Sequence, residues 1–291
     1  MSFVHALRRL AGPPAQPEPA AARARVLAIA AQKGGVGKTT TAVNLAVAAA
    51  RFRGLRTLLV DLDGQGHVEA ALAAQIEGAN PSDRGGASVS DILLGNQRDL
   101  LEIVRSTRIS DLFVVPSDKG LATTEGILAG RIGKEFLLRA ALRRARERFD
   151  LIVLDCPPNL GNLTLNALVA ADACLVPCDM SILSMSGVMD LCSVLETIRD
   201  RLGHPIALLG VVPTRVDRRN RRVTDAVLEQ LSDLYGDQVF RTHVPVSSAL
   251  SRAQMDGLNV FDYDARSAGA KAYRALVDEV AERLAVCVQG N

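Results

Sequence analysis

Nine consecutive residues, Gln32-Lys33-Gly34-Gly35-Val36-Gly37-Lys38-Thr39-Thr40, hold the densest chemistry of the chain. Three glycines within four positions let backbone N–H groups close around an anion with no Cβ in the way. The apolar run Val26-Leu27-Ala28-Ile29-Ala30-Ala31 precedes them and a helix-like stretch follows. Strand, glycine loop and helix N-terminus together make a phosphate-binding context, because the helix dipole adds partial positive charge at the same point. Gly34, Gly35, Val36, Gly37, Lys38, Thr39 and Thr40 are thus candidate nucleotide contacts. Lys38 would add a full charge near the β- and γ-phosphates, and the Thr39 hydroxyl would be a Mg²⁺ ligand. The first glycine of the ordinary pattern is replaced by Gln32, and an additional lysine, Lys33, stands five residues before Lys38. Two lysines oversupply charge for one nucleotide held by one chain. One use of the surplus is to send Lys33 across an interface.

Carboxylates follow at the places such a loop requires. Leu58-Leu59-Val60-Asp61-Leu62-Asp63 ends an apolar run in two acids, and Leu151-Ile152-Val153-Leu154-Asp155 ends another in one. In open α/β sheets ligands sit at the carboxyl ends of the strands, so all three acids fall on the ligand edge. Asp155 has the Walker B arrangement and would hold Mg²⁺ through its water shell. Asp63 could position the water that attacks a γ-phosphate.

These segments are separated by alternating strand and helix patterns. Apolar runs at 25–31, 56–61, 112–116, 150–155, 173–177, 206–212 and 239–243 read as strands. They lack polar alternation, as strands of a parallel sheet covered on both faces should. Helical patterns lie near 38–52, 66–77, 134–148, 162–170, 181–202, 221–235 and 268–286, and 78–90 reads as a loop-like insertion. The expected fold is α/β, a doubly wound, mostly parallel sheet with helices on both faces. Residues 1–24, with four prolines between 13 and 19, read as a flexible arm ahead of one domain at 25–291. Phe3, Leu7 and Leu10 could share a helical face there, so an ordinary terminus, a docking peptide and a membrane anchor, weak at one or two helical turns, all stay open.

Composition narrows the classes further. The 291 residues carry a net charge of only +2, so any nucleic-acid site must be local. Aromatic residues make up 3% with no tryptophan, which argues against a base-stacking platform. Five cysteines, mostly in apolar stretches and without paired spacing, read as reduced core thiols of a cytosolic protein. No apolar run reaches the roughly 18 residues a membrane span needs. The densest basic run is Arg218-Arg219-Asn220-Arg221-Arg222, whose arginines could contact several phosphates.

The K-G-G-x-G-K-[ST]-T loop, the segment from Leu58 to Gly66, the segment from Phe149 to Leu168 and the tail from Phe261 to Tyr273 occur in one order. That order resembles the ParA/MinD family of deviant Walker A ATPases, in its ParA/Soj partitioning branch, over roughly 25–286. The resemblance implies an ATP- and Mg²⁺-dependent ATP hydrolase, slow without DNA and partner. It implies a homodimer formed on ATP, with Lys33 reaching across the sandwich. It further implies non-specific double-stranded DNA binding through Arg218, Arg219, Arg221 and Arg222, a nucleoid-associated cytoplasmic location, and a ParB-like or cargo-adaptor partner that stimulates hydrolysis. Lys33, Lys38 and Asp63 would be catalytic, and Thr39, Asp61 and Asp155 would serve the metal. Pro213, Thr214 and Arg215 match the adenine loop. A plasmid, a chromosome origin or a protein cluster would be the cargo. Gly64 and His67 depart from the family's usual proline and asparagine, and Val246 and Ala249 stand at usually basic positions. A MinD-like membrane-associated regulator is the alternative. It is weakened by the acidic polar positions of the C-terminal stretch.

Overall fold

The computed structural model describes residues 23–77, 88–96, 99–217 and 219–289, with the side chains of 221 and 287–289 outside that description. Most of the 1–24 arm and most of the 78–90 insertion therefore lie outside the described residues. A seven-stranded sheet runs in the order β3-β4-β2-β5-β1-β6-β7. The strands are β1 Arg25–Ile29, β2 Thr57–Asp61, β3 Arg105–Ser106, β4 Leu112–Val115, β5 Leu151–Asp155, β6 Ala173–Asp179 and β7 Ala207–Thr214. The two-residue edge strand β3 is antiparallel to β4; the other pairings are parallel.

The uniform apolarity of the strands has a direct structural cause. Val26, Ala28, Leu58, Val60, Ile152, Leu154, Cys174 and Val176 enter the core on one face. Their neighbours Leu27, Ile29, Leu59, Leu151, Val153, Ala173 and Leu175 enter the core on the other. A period of two with both faces covered leaves no polar position in the middle of a strand. The second face is covered by α1 (Lys38–Arg53) and by the last helix, Ala268–Gln289. The latter buries Tyr273, Leu276, Val277 and Val280, and the Tyr273 hydroxyl meets Thr41 Oγ1 at 3.1 Å.

Three expected elements differ in the structure, the first through side-chain competition for backbone groups. The strand expected at 239–243 makes a single bridge, Val211 to Val239. The N–H groups of Arg241 and Thr242 donate instead to the Glu279 carboxylate at 2.9 and 3.0 Å, and Arg283 donates to the Val239 carbonyl. The helix expected at 66–77 is regular only over His67–Ala71, after which Ala74 N–H donates to Gly257 and Ile76 bridges Thr107. The helix expected at 134–148 is split into 3₁₀ turns around a short helix, Leu137–Ala141. A capped helix at Val89–Leu94 and helices at Leu121–Leu128, Ser248–Met255 and Val260–Asp264 are additional elements.

Candidate nucleotide site

The site lies where β1, β2, β5 and β7 end, and each element delivers one part of it. The loop after β1 turns into α1 through Gly35 and Gly37, whose φ values of 76° and 93° are left-handed conformations that favour glycine. Gly37 is the N-cap of α1 and offers no side-chain cap to the first-turn N–H groups. An uncapped helix N-terminus at the ligand edge suits an anion. Gly34 and Gly35 are exposed, Val36 and Lys38 are buried, and Gly37, Thr39 and Thr40 are half-buried. Lys38 Nζ donates to the Lys33 carbonyl at 3.0 Å. Burial lowers its pKa, while Asp155, Cys156 and Asp63 pull the other way.

The strand register brings the acids together. Asp61 and Asp155 are paired neighbours across β2 and β5, and both are fully buried. Asp61 is satisfied: it accepts from the N–H of Asp63 at 2.9 Å and of Val68 at 3.3 Å. Burial nevertheless pushes its pKa up to about 7 against those bonds. Among the described residues neither oxygen of Asp155 has a hydrogen-bond partner of good geometry, and Ser117 Oγ, close enough to Asp61 to lower its pKa, makes no well-formed bond either. Burial, then the neighbouring Asp61, hold Asp155 well above the carboxylate range. The nearby Thr39 hydroxyl and Lys38 offset part of this. A buried carboxylate without partners is what a hydrated cation would satisfy, so this donor set fits Mg²⁺. Asp63, almost buried, accepts from Gln65 N–H at 3.1 Å, and its other oxygen lies 4.0 Å from His67 Nδ1.

The end of β7 braces the loop. Thr214 Oγ1 donates to the Val36 carbonyl at 2.8 Å, so Thr214 reaches the site as a support for its backbone. Pro213 lies on the same strand end, and Arg215 follows, exposed, at φ 53°. Lys33 is placed differently from Lys38. Its ammonium contacts Asp179 and Ser181, at the end of β6, at 3.0 Å each. Asp179 had not been singled out from the sequence, although a carboxylate closing a buried strand on the ligand edge was the available signal.

The basic cluster stands apart, on the turn after β7 and the first turn of the helix Arg221–Tyr235. Arg219 and Arg222 are exposed; Arg218 and the Arg221 side chain lie outside the described residues. Arg219 pairs with Asp217 at 3.0 and 2.8 Å, which holds the Asp217 carboxyl at about 2. Arginines at the positive end of a helix oppose its dipole, so helix stability does not account for them. Val246 is exposed and Ala249 buried, so neither adds charge. A cavity of about 690 Å³, lined among others by Phe240, Arg241, Glu279 and Arg283, lies at the β7 edge away from these acids.

A family model described as an AAA domain matches residues 24–208. The sporulation initiation inhibitor protein Soj of Bacillus subtilis is 36% identical over 257 residues, 88% of this chain and 98% of Soj. The chromosome partitioning protein ParA of Caulobacter vibrioides is 37% identical over 261 residues, 89% of this chain and 94% of that protein. The chain belongs to the ParA/MinD family, in its ParA/Soj branch. Among solved structures, cobyrinic acid a,c-diamide synthase from Mycobacterium smegmatis with bound ADP and magnesium is 34% identical. Its TM-score is 0.72, with 88% of this chain and 93% of that chain covered. The cell division ATPase MinD of Pyrococcus furiosus, at 24% identity, a TM-score of 0.69 and coverage of 89% and 98%, shares the fold. Both the deviant phosphate loop and the doubly wound sheet expected from the sequence are those of this family.

Proposed function

We propose that this ParA/MinD-family chain is an ATP hydrolase that dimerises on ATP, binds duplex DNA without sequence preference and positions or segregates a cargo. The observation that carries this reading is the buried, unpartnered Asp155 facing the glycine loop, in a chain related to Soj and ParA over nine-tenths of its length. The loop N–H groups, Lys38 and Thr40 bind the phosphates of ATP. Thr39, Asp61 and Asp155 hold Mg²⁺, which when bound neutralises phosphate charge. Asp63 orients the attacking water, with His67 beside it. Pro213, Thr214 and Arg215 border the base. Lys33 completes the site of a second copy, so hydrolysis is slow until dimer, DNA and a ParB-like or adaptor protein combine.

Arg219 and Arg222, with Arg218 and Arg221, supply the DNA-facing charge, and the chain is nucleoid-associated. The membrane-bound alternative has less support, because the last helix directs its apolar face at α1 through Tyr273, Leu276 and Val280. No helix among the described residues is long and apolar enough to cross a membrane. The test is binding to random duplex DNA with ATP, ADP or no nucleotide across a salt series. ATP-dependent binding that falls steeply with salt and is lost in Arg219→Glu is expected. Absence of ATP-dependent binding at low salt refutes the DNA reading.

A further inference from the structure

Lys33 is engaged inside its own chain by one carboxylate and one hydroxyl. Its ammonium lies 3.0 and 3.3 Å from the two Asp179 oxygens and 3.0 Å from Ser181 Oγ. Asp179 is held in turn: Ser181 Oγ donates to it at 2.6 Å, and Ser184 Oγ also donates to it. Ser181 caps the helix Ile182–Leu202 by accepting from Ser184 N–H, so the acceptor cluster is built into a helix start. Burial pulls the Asp179 carboxyl up, but the two serines and Lys33 outweigh it, and it sits below the ordinary range. The Asp179 carboxyl is therefore ionised at neutral pH. The Lys33 carbonyl is the acceptor of Lys38 Nζ, so a movement of residue 33 also reaches the phosphate lysine.

The surface around this pair is apolar where solvent should favour polar groups. Ile182 and Leu183, the first two residues of the helix, are 77% and 74% exposed, and Met189 follows at 55%. Exposed apolar residues grouped beside a charged rim mark a contact surface. A lysine that stays on Asp179 cannot reach a nucleotide held by another copy.

We infer that Asp179 is a positioning residue that latches Lys33 within its own subunit, so that each copy must release this latch before two copies close over ATP. The inference rests on the dimer reading above. The latch makes association a threshold event: nucleotide must supply a better partner for Lys33 than Asp179 does. Ile182 and Leu183 become covered by the second copy as the lysines cross.

The latch makes a quantitative prediction. A pair in which the lysine is one-third exposed is worth about a factor of three to five. Two latches open per dimer, so Asp179→Asn, which keeps the shape and removes the charge, should tighten analogue-driven association about ten- to twenty-five-fold. The experiment is sedimentation of the full-length chain with a non-hydrolysable ATP analogue, comparing wild type, Asp179→Asn and Asp179→Glu. ADP affinity of the monomer and the melting temperature are measured alongside, since a merely structural role would move those. Tighter association in Asp179→Asn, near-wild-type association in Asp179→Glu and unchanged ADP affinity support the latch. Should Asp179→Asn misfold, Ser184→Ala, which removes one hydroxyl from the cluster, should tighten association in the same direction. Equal or weaker association in the folded variants overturns the latch and leaves the dimer reading standing. No association in any variant overturns both.

Discussion

Replacing Asp155 by asparagine should stabilise the nucleotide-free protein while removing the magnesium-dependent part of its response to ATP. Two carboxylates face each other in full burial, and one of them has no well-formed hydrogen bond among the described residues. Asp61 is displaced upward from 3.8 to about 7, chiefly by burial. At about 1.4 kcal/mol per pKa unit, a displacement of that size is of order 4 kcal/mol. The sign follows from proton binding. Between pH 4 and 7 the folded state holds a proton that the unfolded chain has lost, so stability falls as pH rises through that window and stays reduced above it. Asp155, displaced in the same direction, adds to the loss. An amide at 155 removes one buried anion and the repulsion on Asp61. A gain of about 2 kcal/mol at pH 8 is expected, or about 4 to 8 °C in melting temperature for a chain of this size. The gain should shrink toward pH 5. The assay is thermal unfolding of both proteins from pH 5 to 8, with and without Mg²⁺ and ATP. Wild type should rise sharply on adding both ligands, and the variant should lose the magnesium-dependent part. A ligand-free variant that melts below wild type at pH 8, or a gap that does not change with pH, refutes the electrostatic account of this pair.

Lys38→Ala should weaken binding of a fluorescent ATP analogue by about a hundredfold, because a charge-assisted contact is lost with no replacement. Thr214→Val removes the hydroxyl bond to the Val36 carbonyl; a stability loss of about 1 kcal/mol in denaturant titration and a several-fold weaker ATP affinity are expected. Arg222→Gln, which removes one charge and leaves Arg219 in place, should weaken DNA binding and lower its salt slope by about one. Asp217→Asn should strengthen low-salt DNA binding several-fold, because Arg219 is freed from its bidentate partner.

What the sequence made legible was the chemistry carried by contiguous residues. The glycines, Lys38 and Thr39 lie within one loop, and their roles follow from a strand before and a helix after. Asp61 and Asp155 were legible for a related reason: an apolar strand ending in an acid places that acid on the ligand edge whichever strand lies next to it. Their direct pairing was not legible, since it depends on β2 and β5 being adjacent in register. Strand existence was equally local, with two exceptions: the two-residue edge strand Arg105–Ser106 has no apolar run to announce it, and at 239–243 Glu279, some 37 positions away, captures the N–H groups a ladder would need.

The same distinction separates Lys38 from Lys33. Lys38 turns back to a carbonyl five residues away, so its place is fixed by the loop itself. Lys33 could be recognised as surplus charge, but its partner Asp179 lies 146 residues further along. Only the crossing of β6 beside β1 brings the two together. Thr214 illustrates the converse case. Its resemblance to an adenine loop is local, yet its hydroxyl is committed to the Val36 carbonyl, so any effect of Thr214 on a bound nucleotide would pass through the shape of the loop. For that reason a substitution at 214 should move ATP and ADP affinities together, whereas one at 179 should change ATP-driven association and leave monomer affinity for ADP where it was. Substitutions at these two residues, at the ends of neighbouring strands, are therefore expected to separate binding from assembly.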